Sequence, residues 1–176
     1  MGYDPDRHHR RSIRLKSYDY AQAGAYFVTL CIHQRRSILG HIDSGIFYPS
    51  PAGLLIQTLW AELPQHYPGV ALDAFTLMPN HLHGIILLQP TPGSPNLTLG
   101  AVIHRFKSFT TTQYRKRVDD RNWEPFGGRL WQRNYYEHII RSEDSCDRLR
   151  AYILTNPQRW AEDTLNPNNP RSIPDR

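Results

Sequence analysis

The apolar positions of the chain follow two periods in turn. Tyr26-Phe27-Val28-Thr29-Leu30-Cys31-Ile32 is a β-branched and aromatic run that predicts a first strand. A glycine-containing loop follows. Leu54, Leu55, Thr58, Leu59 and Leu63 then recur at helical spacing, with Pro51 suited to a helix start. After Pro68-Gly69, residues 70–78 predict a second strand and 82–89 a third, joined by a tight hairpin at Pro79-Asn80. Residues 89–95 form a loop. From 97 to about 118, Leu99, Val102, Ile103, Phe106 and Phe109 keep helical spacing. Residues 131–140 predict a fourth strand, and Ser142 caps a last helix with Glu143 and Asp144 in its first turn.

The order strand, helix, strand, strand, helix, strand predicts an α+β fold of the ferredoxin-like split β-α-β type. It comprises a four-stranded antiparallel sheet with two helices, plus an additional C-terminal helix. The expected division is a basic N-terminal arm over 1–20, one domain over 21–165 and a disordered tail over 166–176, from the composition Asn-Pro-Asn-Asn-Pro-Arg-Ser.

The hairpin carries the first candidate chemistry. Side chains two apart on a strand share a face, so His81 and His83 in Met78-Pro79-Asn80-His81-Leu82-His83-Gly84 point the same way. Leu82 points to the opposite face and buries. The pair offers half a metal site on a rigid element.

Composition adds a partner class. The chain has 176 residues, with 21 Lys plus Arg against 16 Asp plus Glu, a formal charge of +5. Aromatic residues make up 11%, including ten Tyr and four Trp, which suits base stacking as well as an ordinary core. Together they point to a polyanion such as nucleic acid. Arg10, Arg11, Arg14 and Lys16 read either as a solvated arm or as one that tracks phosphates. Cys31 and Cys146 form no CxxC pair and are expected as free thiols. No apolar run approaches a membrane span, and there is no signal-peptide core, so a cytoplasmic, nucleoid-associated protein is expected.

The last helix completes the constellation. Cys146, Leu149 and Ile153 form its apolar stripe, and Arg148, Tyr152 and Asn156 lie four apart on a neighbouring face. If the stripe packs on the sheet, Tyr152 faces the histidine pair and Asn156 adds an amide oxygen. Two imidazoles and an oxygen suit Mg²⁺ or Mn²⁺, with no thiolate to select Zn²⁺. A tyrosine beside such an ion reads as a nucleophile towards a phosphodiester.

With these residues the chain resembles the HUH single-strand transposases, in particular the REP-associated tyrosine transposases, over roughly 11–160. The resemblance rests on five segments. They are Ser12-Ile13-Arg14-Leu15-Lys16-Ser17-Tyr18-Asp19-Tyr20, Tyr26-Phe27-Val28-Thr29, the run from Met78 to Gly84, Trp131-Gln132-Arg133-Asn134-Tyr135-Tyr136-Glu137-His138-Ile139-Ile140-Arg141, and Tyr152-Ile153-Leu154-Thr155-Asn156-Pro157. It implies that His81 and His83 bind the metal and that Tyr152 is the nucleophile. Asn156 falls where the family places a third ligand. It further implies cleavage of single-stranded DNA near a hairpin such as a REP palindrome, through a 5′-phosphotyrosine. Assembly is left open between a monomer and a homodimer with the tyrosine helix exchanged. Gln158-Arg159-Trp160 departs from the basic, glycine-containing continuation of some REP-acting members.

Alternatives stand beside these roles. Pro157 disfavours helix at the preceding residue, so Asn156 either ligates metal or caps a short turn over 157–162. His138 either assists the site or fills the sheet. Tyr135 and Tyr136 point to opposite faces, so at most one stacks on a base. Arg105, Lys107, Arg115, Lys116, Arg133 and Arg148 are either DNA contacts or solvated faces. Two other functions compete with the nuclease. One is a domesticated, non-cleaving binder of structured single-stranded DNA or RNA. The other is a metal hydrolase using activated water, for which no carboxylate near His81 is evident from the sequence.

Overall fold

The computed structural model describes residues 23–91, 97–121 and 123–172. Its elements are β1 (Gly24–Cys31), β2 (Gly40–Asp43), β3 (Ile46–Pro49), α1 (Pro51–Ala61), α2 (Leu63–His66), β4 (Val70–Met78), β5 (His81–Leu88), α3 (Leu99–Arg121), β6 (Tyr136–Ile140) and α4 (Glu143–Thr155). A 3₁₀ helix, Pro157–Glu162, follows α4 directly. The main sheet has the order β4-β5-β1-β6, and every neighbouring pair is antiparallel. This is the expected mixed fold.

Register separates the two faces. Cys31, His81 and Met78 lie side by side across β1, β5 and β4, as do Thr29, His83 and Thr76. The alternate residues Leu30, Leu82 and Leu77 face the other way, into the main core, and are fully buried or nearly so. That core is closed by α1 and α3 through Ile56, Trp60, Val102, Ile103 and Phe106. On the histidine face a second, smaller core forms from Phe27, Ile85, Cys146 and Ile153, with Leu149 and Ile140 at its margin. It is made by the stripe of α4. Full burial of a residue such as Ile153 contributes roughly 1.5–3 kcal/mol, so a short apolar stripe suffices to seat the helix. Ser142 caps it by accepting from the Ser145 amide. Cys31 and Cys146 are both buried, and neither is in a disulfide.

Gly84 shows how closely the two layers are fitted. A Cβ there would lie 2.4 Å from Trp60 Cζ2, so only glycine lets the indole rest on β5 beside His83.

Four expectations need correction. The stretch between β1 and α1 is not only a loop but contains the β2–β3 hairpin. Its two-residue turn, Ser44-Gly45, has both φ values positive, at 50° and 78°. This is the backbone that short hairpins require. The first helix ends before Leu63, because Pro64 has no amide hydrogen to continue the ladder, and α2 is a separate turn. The fourth strand is shorter than 131–140. Trp131 makes an isolated bridge to Ile32, and regular pairing starts only at Tyr136.

The expectation of disorder after residue 165 does not hold over 166–172. Asp163, Asn166 and Asn169, three apart, each accept from the backbone amide two residues on. Asn166 and Asn169 are buried and donate to the carbonyls of Trp160 and Asp163. The polar composition that suggests disorder also builds successive Asx turns. Arg10, Arg11, Arg14 and Lys16, with the whole of the basic arm, lie outside the described residues.

Candidate metal and nucleophile site

His81 and His83 project from the start of β5, buried, with their Nε2 atoms 3.1 Å apart. Each ring is held from behind. Asn80 Oδ1 lies 2.7 Å from His81 Nδ1, and Thr29 Oγ1 lies 2.8 Å from His83 Nδ1. Phe27 stacks on His83 at 5.4 Å, and Trp160 lies 6.0 Å from the His81 ring. Burial pushes the pKa of His83 down to about 3. Burial also drives that of His81 well below the usual range, helped by His83 and by the nearby Arg35 guanidinium. Both imidazoles are therefore neutral near pH 7, as metal ligation requires.

Helix α4 brings Tyr152 to this pair. Its hydroxyl is 3.5 Å from His83 Nε2, and the ring packs edge-on against both His83 and Phe27. Tyr152 is 38% exposed. Burial raises its pKa above the ordinary value, and the Asn156 amide pulls in the opposite direction. The helix is fixed in place by Arg150, which spans Asp73 on β4 and Glu143 and Asp147 on its own turns. Asp73 is held below the usual carboxylate range by that guanidinium. Asp73 sits in the β4 irregularity between Leu72 and Phe75.

Asn156 is buried at the junction of α4 and the 3₁₀ helix, and it makes no side-chain cap hydrogen bond to that turn. Its Oδ1 is buried without a hydrogen-bond partner. The capping role is thus absent, and the amide oxygen is left for another use.

The residue that sequence reasoning missed is Asp163. The 3₁₀ helix turns the chain back, so that Asp163 Oδ2 lies 3.6 Å from His81 Nε2. One ligand atom from each of His81, His83 and Asp163 falls within 4.8 Å of the others. Burial raises the Asp163 pKa, and its Oδ2 is a second buried oxygen with no hydrogen-bond partner. With His81 neutral, this is not an ion pair. Two imidazole nitrogens and a carboxylate oxygen converge without enough hydrogens between them, and the Asn156 amide oxygen is a further buried acceptor without a partner. That donor set fits a divalent cation. The absence of a carboxylate near His81, expected from the sequence, is corrected by Asp163.

The site opens into a cleft of about 730 Å³ lined by Phe27, Thr29, His83, Tyr136, Tyr152 and Asp163, among others. Tyr136 is 55% exposed and meets Phe27 edge-on, so it is the member of the tyrosine pair on the site's face. Tyr135 packs against the main core beneath Lys107. Lys107 is not a free cation for DNA. Its ammonium donates to the carbonyls of Gln132 and Asn134 at 3.0 and 3.1 Å, and burial lowers its pKa to about 8.

Arg105 and Arg115 lie over the rings of Tyr67 and Phe126, on the helix that covers the opposite sheet face. Lys116 and Arg148 are exposed, and neither lines the cleft. His138 pairs with Phe27 rather than Thr29, is exposed, and stays outside the ligand cluster. Arg133 and Arg115 do share a second groove of about 720 Å³ with His104 and Arg129. That groove borders Gln132 and Tyr135, which also line the cleft.

The family model described as transposase IS200 like matches residues 25–156. An uncharacterised protein of Haemophilus influenzae is 39% identical over 180 residues, covering 93% of this chain and 96% of its own. A second protein of that organism, provisionally named a REP-associated tyrosine transposase, is 21% identical over 79% of this chain and 73% of its own. Among solved structures, a REP-associated tyrosine transposase bound to a REP hairpin superposes with a TM-score of 0.57. It shares 18% identity and covers 84% of this chain and 73% of that one. This last likeness speaks for the fold. Among the described residues, no helix is long and apolar enough to cross a membrane.

Proposed function

The chain belongs to the IS200-like transposases, and from that premise we propose that it is a metal-dependent endonuclease and strand transferase for single-stranded DNA, with Tyr152 as nucleophile. The observation that carries the proposal is the Tyr152 hydroxyl, 3.5 Å from His83 Nε2 at the edge of an open cleft. His81, His83 and Asp163 would hold the ion, with Asn156 Oδ1 as a further oxygen donor. Bound there, Mg²⁺ or Mn²⁺ supplies Lewis-acid polarisation of a phosphodiester oxygen. The mixed imidazole and carboxylate set suits Mn²⁺ at least as well as Mg²⁺.

Tyr152 Oη then attacks phosphorus in line. The new P–Oη bond forms as the bond to the 3′ oxygen breaks. The phenolic proton is in balance taken up by that oxygen, giving a 5′-phosphotyrosine and a free 3′-OH. Because the ester conserves the broken linkage, attack by another 3′-OH reverses the step and joins strands without a nucleotide cofactor. Tyr136 and Phe27 offer ring faces and edges for an unpaired base. The groove at Arg115, Arg129 and Arg133 offers a continuation for the phosphate backbone. A hairpin-bearing strand of the REP-like kind is the proposed substrate, and a cytoplasmic location at the nucleoid goes with it.

The experiment is incubation with a hairpin-bearing single-stranded oligonucleotide and Mn²⁺ or Mg²⁺, followed by denaturing electrophoresis. A covalent adduct that depends on Tyr152 supports the reading. Asp163 gives specific grounds for a second reading, hydrolysis by water with this carboxylate as base. That reading predicts cleavage without an adduct, surviving Tyr152→Phe. Salt-sensitive hairpin binding with no cleavage in either metal would instead identify a binding protein that has lost catalysis.

A further inference from the structure

Asn80 is buried, lies between the strands of the β4–β5 hairpin, and touches three separate parts of the chain. Its Nδ2 donates to the Arg35 carbonyl at 3.1 Å and to the Leu165 carbonyl at 2.8 Å. Its Oδ1 lies 2.7 Å from His81 Nδ1. These contacts fix more than packing. Carbonyl oxygens only accept, so two of them determine which end of the carboxamide is nitrogen. The oxygen must then face His81, and that oxygen also only accepts. Nδ1 of His81 must therefore carry the proton, and Nε2 presents its lone pair to His83 and Asp163.

The same amide reaches the segment that delivers the carboxylate, since Leu165 is two residues after Asp163. Its amide nitrogen is bound to Asp163 Oδ1 at 2.7 Å. The Arg35 carbonyl belongs to a turn in which Gln34 and Arg35 have φ of 56° and 49°, a costly conformation for residues other than glycine. The amide is one of the contacts that hold that turn.

We propose that Asn80 is a positioning residue of the metal site: it sets His81 in the Nδ1–H tautomer and, through the Leu165 carbonyl, holds the segment bearing Asp163 against the histidines. The proposal rests on the metal-site reading above for its consequence, but the tautomer is a property of the metal-free protein. Groups in this position typically change metal affinity 10–100-fold when removed. Thr29 stands behind His83 in the corresponding place, so the two rings have separable supports.

The test is long-range ¹H–¹⁵N NMR of the histidine side chains at pH 8 in chelator, alongside Mn²⁺ titration by calorimetry. In the wild type, His81 should show the Nδ1–H pattern. Asn80→Ala should shift His81 towards the other tautomer, leave His83 unchanged, and weaken Mn²⁺ binding about 10–100-fold. Asn80→Asp separates the two contacts, since it keeps an acceptor for His81 and loses both N–H donors. It should preserve the His81 tautomer while amide exchange at Leu165 and Asn166 accelerates at least several-fold. Thr29→Val should move His83 alone.

An unchanged His81 tautomer with unchanged Mn²⁺ affinity in Asn80→Ala would overturn the proposal. So would the Nε2–H form in the wild type, or loss of the Nδ1–H form in a folded Asn80→Asp. A wild type that shows the expected tautomer but binds no Mn²⁺ would instead overturn the metal-site reading and the proposal's claim on affinity, leaving the tautomer assignment standing.

Discussion

Arg150 of α4 grips Asp73 of β4 through three contacts: Nε to Oδ1 at 3.0 Å, Nε to Oδ2 at 3.2 Å and Nη2 to Oδ2 at 2.7 Å. The geometry is bidentate, and Nη1 is meanwhile engaged by Glu143 and Asp147. A lysine cannot reproduce this fork. The clamp ties α4 to the edge strand two residues from Tyr152, so it governs where that side chain stands.

Replacing Arg150 by Lys or Met should therefore slow formation of the covalent adduct about 10-fold or more while leaving hairpin affinity within about 2-fold, since misplacement of a reacting group by a fraction of an ångström is costly. Single-turnover cleavage and equilibrium binding, measured on the same variant, check this. Equal losses in both would show that the clamp serves the fold generally.

Asp163 is a partly buried carboxylate whose Oδ2 is buried without a hydrogen-bond partner, which is unfavourable without a cation. Asp163→Asn keeps the acceptor for the Leu165 amide and removes the charge. The metal-free protein should be as stable as the wild type or more so, while the stabilisation produced by Mn²⁺ should largely vanish. Thermal melts with and without Mn²⁺ give both quantities. A full Mn²⁺ shift in Asp163→Asn would remove this residue from the ligand set.

The histidines predict an acid response. Their pKa values are depressed in the folded state from the ordinary 6.5, that of His83 to about 3. Below about pH 6.5 the unfolded chain binds the extra protons, so stability must fall as pH falls from there towards 3. The slope is about 1.4 kcal/mol per pH unit for each such group. Asp163 works oppositely in the lower part of this range. Its pKa is raised from 3.8, so between that value and its folded pKa the native state holds the extra proton and stability falls as pH rises. Urea unfolding in chelator between pH 4 and 8 should show stability falling as pH falls below about 6.5, the two histidines outweighing the single carboxylate. His83→Gln should reduce the slope there by about one proton.

Gly84 predicts a packing effect transmitted to the site. Gly84→Ala places a Cβ against Trp60, which is itself wedged between Phe75 and Phe106 at ring distances of 5.2 and 5.3 Å. Overpacking of this kind costs about 1–3 kcal/mol. The strand should yield on the His83 side, so Mn²⁺ affinity should fall together with the melting temperature. Pairing the change with Trp60→Leu should recover part of both, which a double-mutant cycle will measure.

The histidine pair, the tyrosine helix and its Ser142 cap were legible in the sequence because each rests on a local rule: the two-residue pleat, the four-residue turn and the cap. The four main strands followed from their apolar runs. Asp163 was not legible, since its place depends on the chain reversing after Asn156 and on a 3₁₀ turn whose direction no periodicity encodes. A weak signal was present in the three-residue spacing of Asp163, Asn166 and Asn169, each able to form an Asx turn, but in composition it looks like disorder. Asp73 escaped because it lies in a strand irregularity, where alternation no longer says which way a side chain points. The candidate cations on α3 illustrate the converse. Spacing put Arg105, Lys107 and Arg115 on a polar face; both arginines are exposed there, over the rings of Tyr67 and Phe126, whereas Lys107 closes the 132–134 turn.

Everything proposed for the cleft depends on Tyr152 acting as the nucleophile of a metal-dependent strand cleavage. That role is tested most directly by mass spectrometry of the protein after incubation with a hairpin-bearing single-stranded oligonucleotide and Mn²⁺. The expected product is a peptide containing Tyr152 that carries a 5′-phosphonucleotide, absent in Tyr152→Phe, in His81→Ala and in chelator. Cleavage products of undiminished yield from Tyr152→Phe, or a nucleotide attached to any other residue, would contradict it.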